Sequence, residues 1–412
     1  MMKTAIAAAL LAATIAQPGV AQTPKASAPA PLKLERVVMM MRHGIRPPTK
    51  PAPVPASVSR EQWPGWPVDF GLLTPRGAAG VKLLGESDRS WFAARGLFGR
   101  GCPAPGSVVL KASSKQRAIR TAESWSEGFM PSCSITVSHP SETGPDPIFH
   151  GLDDNPAWFD GQAAYRAALA RAPKGGLAAD VARYRADLTL LARVLNCALP
   201  ACPLLREPTE LVASPHDRPE LEGPADIGST ASQTFLLQYL EGMPMRDVGW
   251  GRITRAQIEQ LLRFHPLKFR YSNRPDPISR VAAAPIAREI LAAFEDRRGA
   301  RLTLLAGHDT NIADLAGFMR VHWKVPSYPA DDVPPGSAMG FELLRDAKGS
   351  RYVRVFYRAQ TMDQLRNQRR LTQNEAPFRQ YLPLPGCGNS IAPRTCTLSA
   401  FAKLVRGRAL PR

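Results

Sequence analysis

In the first third of the chain, short apolar runs typical of strands alternate with segments that have the periodicity of helices. Residues 34–41 form an apolar run rich in Val and Met, which predicts a buried strand, and the runs at 107–111 and 134–138 predict two more. Thr74-Pro75 is a helix-start signal before a helical pattern that continues to residue 97, and a second helix is predicted over 116–129. This alternation of strands and helices predicts an α/β fold, a three-layer sandwich with a mainly parallel central sheet.

The middle of the chain has a different pattern, with helical periodicity and no convincing strand. Strand patterns return at 301–306 and in a predicted hairpin, whose strands 339–344 and 352–357 are joined across Lys348-Gly349-Ser350. We therefore predict a smaller all-α domain inserted into the α/β domain. The predicted segments are a signal peptide (1–21), the first part of the α/β domain (32–150), the inserted helical domain (151–272) and the second part of the α/β domain (273–412).

The N-terminus has the pattern of a secretory signal. Lys3 precedes a short apolar run at 5–16, and Gly19-Val20-Ala21 forms a small-residue cleavage site. The run is shorter than the roughly 20 residues that cross a bilayer, and no later segment is long and apolar enough, so we expect no membrane partner. Localisation is predicted to be periplasmic or secreted.

Export permits disulfides, and the six cysteines fall into three sequence neighbourhoods. Three local bridges are the simplest interpretation, although other pairings are possible in principle. No Cys-x-x-Cys lies near histidines, so a zinc site is not expected.

The chain has 53 Lys and Arg against 35 Asp and Glu, a formal net charge of +18. Nucleic acid, an anionic surface or a small polyanionic substrate would each suit this charge, and so would a role in solubility alone. The basic residues are spread out and the chain is predicted to be exported, which argues against nucleic acid.

Two predicted strands end in residues that suit phosphate chemistry. Arg42-His43-Gly44 follows the first strand, and His308-Asp309 follows the strand at 301–306. Ligands of open α/β sheets bind beyond the carboxyl ends of the strands, so these side chains meet if the two strands are central and parallel. A single histidine after a strand is more often an ordinary turn residue, but two such junctions with arginines favour a site.

The residue types predict phosphoryl transfer to histidine. Arg42 and Arg46 can donate forked hydrogen bonds to phosphoryl oxygens, and Gly44 allows a tight turn and close approach to a ligand. Nearby positive charge keeps an imidazole neutral, and a neutral His43 is a nucleophile toward phosphorus. Asp309 can give a proton to the departing oxygen and later take one from water.

The segments RHGIRPP and GHDTN resemble the two signatures of the histidine acid phosphatases, a branch of the histidine phosphatase superfamily. Further segments across the mature chain, including WPGWPVDFGLLTPRG, FLLQYLEGMP and PPGSAMGFELLR, resemble the bacterial periplasmic phytases and their glucose-1-phosphatase relatives. The Pro-Thr-Lys after the first signature favours phytase over glucose-1-phosphatase or a broader sugar-phosphate phosphatase. A non-catalytic phospho-ligand-binding protein is disfavoured, since binding needs only the arginines, and the export signal and inserted helices disfavour a phosphoglycerate mutase.

The resemblance implies roles for individual residues. His43 is implied as the nucleophile and Asp309 as the proton donor, without cofactor or metal. The residues implied to bind the phosphoryl group are Arg42, Arg46, Arg117 and His308, and those implied to line the substrate pocket are Thr49, Lys50 and Thr310. The implied disulfides are Cys102–Cys133, Cys197–Cys202 and Cys387–Cys396. The expected partner is a small anionic phosphomonoester, and the expected state is a monomer.

Two positions depart from the family pattern. The segment before Arg117 lacks the acidic residues of many relatives, and Gln233 stands where a glutamate is expected. Both differences make the predicted pocket more positive, and they affect the expected substrate preference more than the catalytic set.

Overall fold

The computed structural model describes residues 32–152, 156–198, 201–387, 392 and 394–409. The predicted signal peptide lies outside the described residues. The strands are β1 (Lys33–Arg42), β2 (Val108–Ala112), β3 (Val137–Ser138), β4 (Glu210–Val212), β5 (Glu220–Glu222), β6 (Leu302–Gly307), β7 (Ala338–Arg345), β8 (Arg351–Ala359), β9 (Phe378–Leu382) and β10 (Thr395–Thr397).

Helices connect and cover these strands. They are α1 (Pro75–Ala94), α2 (Gln116–Phe129), α3 (Gly161–Leu169), α4 (Gly176–Ala182), α5 (Arg185–Val194), α6 (Pro203–Arg206), α7 (Pro224–Leu240), α8 (Arg255–Leu261), α9 (Phe264–Ser272), α10 (Asp276–Ala282), α11 (Ala284–Glu295), α12 (Asp309–Met319), α13 (Met362–Arg366) and α14 (Leu398–Arg408), with a 3₁₀ turn at Val248–Gly251.

Within the described residues the central sheet has eight strands, in the order β10-β8-β7-β1-β6-β2-β3, with β9 also paired to β8. β1, β6, β2 and β3 pair in parallel, whereas β7 is antiparallel to both β1 and β8. β8 therefore runs in the same direction as β1, so that β1, β2, β3, β6 and β8 share one direction. The predicted α/β class with a mainly parallel sheet is confirmed, as is the β7–β8 hairpin.

The sheet is covered on both faces. Alternate residues of β1 point to opposite sides, so that Val38 and Met40 pack with residues of α7, α9, α11 and α12. Met39 and Met41 pack on the other side with residues of α1 and α2. Burial on both faces explains why β1 reads as a continuous apolar run rather than an alternating one, and it confirms the three-layer arrangement.

The middle of the chain is helical, as predicted, but it contains a small sheet that the sequence analysis missed. β4 and β5 pair in antiparallel register, and each buries one central leucine, Leu211 or Leu221. Strands of three residues are too short to show a periodic pattern, so this region is not purely helical. Its helices share one continuous core with the sheet, and the predicted domain boundaries remain a prediction.

Three disulfides join Cys102 to Cys133, Cys197 to Cys202 and Cys387 to Cys396. The local pairing implied by the family resemblance is confirmed. None of the helices in the described ranges is both long and apolar enough to cross a membrane.

Candidate active site

Three parallel strands end together at one edge of the sheet. Arg42, the last residue of β1, is in register with Gly307, the last residue of β6, and Ala112 at the end of β2 is in register with Ala306. The next residues along each strand therefore lie side by side. The prediction that Arg42-His43-Gly44 and His308-Asp309 lie next to each other is confirmed.

His43 is fixed at this edge by its backbone and its ring. Its N–H donates to the Gly307 carbonyl at 2.9 Å, and its carbonyl accepts from Gly336 N–H at 3.0 Å. Its side chain is 1% exposed. The ring Nδ1 lies 2.8 Å from the Gly44 carbonyl oxygen, which can only accept, so Nδ1 carries the proton. Nε2 is left as the unprotonated nitrogen, and it faces Arg46 Nε at 3.4 Å.

Gly44 is needed where the chain leaves β1, because helix α1 approaches it closely. A Cβ at Gly44 would lie 2.9 Å from Val81 Cγ2 and 3.0 Å from the Gly77 carbonyl oxygen. A Cβ at Gly77 would in turn lie 2.3 Å from the Ile45 carbonyl oxygen. The two glycines thus allow α1 to pack closely against the segment that follows His43, which fixes the position of that segment.

Three guanidinium groups surround His43. Arg42 is 1% exposed, and its Nη2 lies 2.8 Å from Asp309 Oδ2 and 3.0 Å from Gln233 Oε1. Arg46 is half-buried, and Arg117 projects from the first turn of α2. The buried Nε atoms of Arg42 and Arg117 have no hydrogen-bond partner among the described residues. Buried donors without acceptors are costly, so these groups suit an anionic ligand.

Burial and the surrounding cations set the protonation of the two histidines. Burial, followed by Arg46, Arg117 and Arg42, lowers the pKa of His43 well below its usual value. Burial and Arg117 lower the pKa of His308 to about 3. Burial and the neighbouring arginines also lower the pKa of Arg46 to about 9. Both imidazoles are therefore neutral at mildly acid pH, and the positive charge resides on the arginines.

His308 and Asp309 begin helix α12. His308 Nε2 lies 3.2 Å from Ser113 Oγ, and the rings of His308 and His43 lie 5.7 Å apart. The His308 N–H donates to Asn311 Oδ1 at 2.9 Å, which fixes the start of the helix. The N-terminal end of α12 adds its partial positive charge to the site.

Asp309 is ionised in the free site. Burial raises the pKa of its carboxyl, but Arg42, His265, His43 and Arg46 outweigh burial and hold the pKa far below its usual range.

A cavity of about 420 Å³ is lined by Arg46 and Asp309 of this site. Arg42 contacts Asp309, and His43 contacts Arg46, behind the cavity surface. We call Arg42, His43, Arg117 and His308 the floor of the site. The cavity rim carries Thr49, Lys50 and Thr310, which are exposed and line the cavity together with Arg46 and Asp309. The residues singled out from the sequence are thus brought to one place. Arg42 and His43 are buried, Arg117 and His308 are half-buried, and the rim is open to solvent.

Two residues of the site were missed by the sequence analysis. His265 of α9 lines the cavity, and its Nε2 lies 3.7 Å from Asp309 Oδ2. Asp332, in the loop before β7, holds His265 Nδ1 at 2.6 Å. A lone histidine in a helix and an aspartate in a loop give no local signal, since their contacts join residues 67 positions apart. Within the described residues, no cluster of His, Cys, Asp and Glu could hold a metal ion.

The sequence matches the family model of the histidine phosphatase superfamily (branch 2) over residues 33–160 and 254–358. The matched ranges contain both Arg42-His43-Gly44 and His308-Asp309. The chain belongs to the histidine phosphatase superfamily.

Relatives within this superfamily match along nearly the whole chain. Phytase AppA of Escherichia coli is 35% identical, over 92% of this chain and 93% of the relative. Glucose-1-phosphatase of Salmonella typhimurium is 31% identical, over 94% of each chain. The membership makes the protein a phosphoric monoester hydrolase, with a small phosphate ester as its substrate.

Solved structures of the superfamily have the same fold. The phytase from Citrobacter braakii superposes with a TM-score of 0.85 and 33% identity, over 92% of this chain and 98% of that one. The Hafnia alvei phytase in complex with myo-inositol hexakis sulphate superposes with a TM-score of 0.83 and 32% identity, over 93% and 99% of the two chains. The central sheet and its helical additions are therefore those of the bacterial phytases.

Proposed function

We propose that this histidine phosphatase is a phytase, which removes phosphate from myo-inositol hexakisphosphate through a phosphohistidine at His43. Asp309 is the proton donor to the departing oxygen. Arg42, Arg46, Arg117 and His308 bind the phosphoryl group, and Thr49, Lys50 and Thr310 line the substrate pocket.

The observation that carries this proposal is the state of His43. Its Nδ1 is engaged with the Gly44 carbonyl at 2.8 Å, so Nε2 keeps its lone pair, and Nε2 faces Arg46, which lines the cavity. Burial and neighbouring cations keep the ring neutral. A neutral imidazole fixed in one orientation needs no activating base to attack phosphorus.

The three arginines supply the electrostatic part of the reaction. Charge on the three outer phosphoryl oxygens is spread around the phosphorus in the transition state, and guanidinium groups match this arrangement with paired donors. The unpartnered Nε atoms of Arg42 and Arg117 are two donors already desolvated for that purpose. His308, which is neutral and contacts Ser113 Oγ, adds a further polar contact from the start of α12.

Asp309 completes a two-step reaction. The P–O bond to the alcohol breaks as Nε2 of His43 bonds to phosphorus, and Asp309 gives its proton to the leaving oxygen. Water then attacks phosphorus, the P–N bond to His43 breaks, and Asp309 takes the proton that the water loses. Asp309 is ionised in the free site, but the negative charge of a bound phosphoryl group offsets Arg42 and Arg46 and raises the pKa of its carboxyl.

The rim supports a polyphosphorylated substrate. Lys50 lines the cavity four residues beyond Arg46 and has no ion pair among the described residues, so it is available to a second phosphate. Three phytases among the relatives and solved structures match this chain at 32–35% identity.

Glucose-1-phosphatase activity is the second candidate. The Salmonella typhimurium and Providencia rettgeri relatives, 31% and 28% identical, carry that name. The other lysine that lines the cavity, Lys268, is already paired with Asp226 at 2.6 Å, which reduces the charge available for additional phosphates.

Three disulfides support an oxidising compartment, so we infer that the protein acts in the periplasm or outside the cell. The expected monomer stays a prediction.

A phosphate-release assay at acid pH tests the substrate. Phytate, glucose-1-phosphate and 4-nitrophenyl phosphate are compared at low salt by kcat/KM. We expect phytate to have the highest value, because its additional phosphates are attracted to Lys50. A higher value for glucose-1-phosphate would replace the phytase proposal with the glucose-1-phosphatase one.

A further inference from the structure

A chain of three side chains extends from the cavity into the core behind Asp309. Asp309 Oδ2 lies 3.7 Å from His265 Nε2, and His265 Nδ1 lies 2.6 Å from Asp332 Oδ1. His265 is 5% exposed and Asp332 is fully buried. No step of the reaction proposed above uses His265 or Asp332.

The contact with Asp332 fixes the proton on one ring nitrogen. An ionised carboxylate only accepts hydrogen bonds, so Nδ1 of His265 carries a proton and donates it to Asp332. Nε2 faces Asp309 with either a second proton or a lone pair. A lone pair on His265 Nε2 would be repelled by the ionised Asp309 carboxylate. The arrangement is therefore most stable when one proton is shared between His265 Nε2 and Asp309.

Charge balance favours this shared proton. Asp332 Oδ2 has no hydrogen-bond partner in the described chain, so the charge of Asp332 depends on His265. Arg42 is already paired with Asp309 at 2.8 Å. A protonated His265 gives Asp332 a cation at 2.6 Å, whereas a neutral His265 leaves the Asp332 carboxylate without an ion pair among the described residues.

The other groups around His265 do not provide this charge. Gln233 of α7, with its amide nitrogen 3.1 Å from Nδ1, and Phe269, with its ring 4.3 Å away, are uncharged. Burial and Asp332 raise the pKa of Tyr328, and burial raises that of Tyr357, so both stay neutral. Lys268, on the same helix, is paired with Asp226 at 2.6 Å.

We propose that His265, held by Asp332, is a positioning residue that keeps a proton available to Asp309. In the free site Arg42 holds Asp309 Oδ2, and the 3.7 Å to His265 exceeds a hydrogen bond. A bound phosphoryl group competes for Arg42, so that Oδ2 turns to Nε2 and takes up the shared proton. This inference rests on the proposed roles of His43 and Asp309.

The proton balance closes over one turnover. When the alcohol leaves, it takes the shared proton from Asp309. Asp309 is then a carboxylate, and His265 is a neutral imidazole with its proton on Nδ1. The water that hydrolyses the phosphohistidine places its hydroxyl on phosphorus and returns its proton to the pair through Asp309. Asp332 makes the protonated pair more stable, and so extends activity to higher pH.

The test compares Asp332→Asn and His265→Asn with the wild type. Rapid acid quench measures the rate constant of phosphoenzyme formation from 4-nitrophenyl phosphate and from an alkyl phosphomonoester, across pH. We expect a loss of about 10-fold or more with the alkyl ester and little change with the aryl ester, whose leaving oxygen needs no proton. In Asp332→Asn the activity with the alkyl ester should also be lost, as the pH rises, about one pH unit below the value for the wild type. The reason is that the variant lacks the carboxylate that stabilises the proton shared by His265 and Asp309.

The adjacent carboxylate provides a matched control. Asp331 is paired with His322 at 2.7 Å and lies 3.4 Å from Arg274, and Asp331→Asn should leave both rates and the pH profile unchanged. Inhibition by inorganic phosphate shows whether each variant retains a folded site. Equal losses on both esters, or an unshifted pH profile in Asp332→Asn with phosphate inhibition intact, would overturn the proposal. If neither ester labels His43 in the wild type, the proposed function itself fails, and this inference with it.

Discussion

The floor and the rim of the cavity are built in different ways. The floor residues are attached to the ends of β1 and β6 and to the first turn of α2, and Arg42 and His43 are each 1% exposed. The rim residues are exposed, and Thr49 and Lys50 lie in the irregular segment after Pro48. The floor is thus positioned by sheet register, whereas Thr49 and Lys50 of the rim depend on a loop; Thr310 lies in the first turn of α12.

This difference separates two tasks of the site. The floor must hold two imidazoles and two guanidinium groups within a fraction of an ångström to accelerate the reaction, and paired parallel strands give that precision. The rim only has to attract and orient the rest of the substrate, so its charges can vary without altering the chemistry. Changes in the floor should affect turnover on every substrate, and changes in the rim should affect the choice between substrates.

The largest effect is expected at the centre of the floor. His43→Ala should reduce turnover of all phosphomonoesters by at least about 10⁴-fold, since no other side chain can form the covalent intermediate. Acid-quench labelling should trap phosphate on His43 only in the wild type. His139→Ala, which removes an exposed histidine, is the control and should retain full activity. Label retained in the His43 variant would contradict the assignment.

Asp309→Asn should separate substrates by their leaving groups. Phosphoenzyme formation from an alkyl ester should fall by about 10²–10⁴-fold, because the departing oxygen has lost its proton donor. Formation from an aryl ester should fall much less. Single-turnover rate constants measure both, and Asp247→Asn, at an exposed carboxylate, should change neither. An equal loss on both esters would assign Asp309 a different role.

The Cys102–Cys133 disulfide should affect stability and leave the floor unchanged. It closes a loop of 31 residues, so Cys102→Ser with Cys133→Ser should lower the free energy of unfolding by about 3–4 kcal/mol. Cys197–Cys202 closes a loop of 5 residues, and its removal should cost about 2 kcal/mol in the same model. Denaturant unfolding measures both values, and kcat below the unfolding transition should be unaffected. A loss of kcat in a fully folded variant would show that the bridge also positions the site.

The pH dependence of the first step should depend on the cations around His43. Only neutral His43 is a nucleophile, and its pKa is lowered by burial, then Arg46. Phosphoenzyme formation from an aryl ester should therefore persist as the pH falls through about 6.5, where a free histidine becomes protonated. Arg46→Gln removes one cation and should raise the pKa of His43, so that the rate falls at a higher pH than in the wild type. An inflection near 6.5 in the wild type would contradict the lowered pKa.

The smallest effect is expected at the rim. Lys50→Ala should raise KM for phytate by about 10-fold or less and hardly change KM for 4-nitrophenyl phosphate, with the difference shrinking as salt rises. Lys115→Ala is the matched control, because Lys115 is paired with Glu142 at 3.8 Å and does not line the cavity. Equal effects of Lys50→Ala on both substrates would remove the argument for a second phosphate contact.

Local sequence was enough to predict the elements that carry the chemistry. The apolar run before Arg42 predicts β1 because a strand buried on both faces needs apolar residues at every position, and α2 begins and ends where its pattern predicts. Arg-His-Gly and Gly-His-Asp then mark the ends of two strands. These signals are local, and they are strong because burial and helix capping act on neighbouring residues.

Only the tertiary structure decided how these residues meet. The parallel register of β1 with β6 brings His43 next to His308, and no residue within either segment specifies that pairing. The packing of α9 and the loop before β7 behind Asp309 adds His265 and Asp332, whose mutual contact spans 67 positions. Such contacts depend on the relative placement of distant elements, which is fixed when the core packs as a whole, so no local pattern of the sequence contains them.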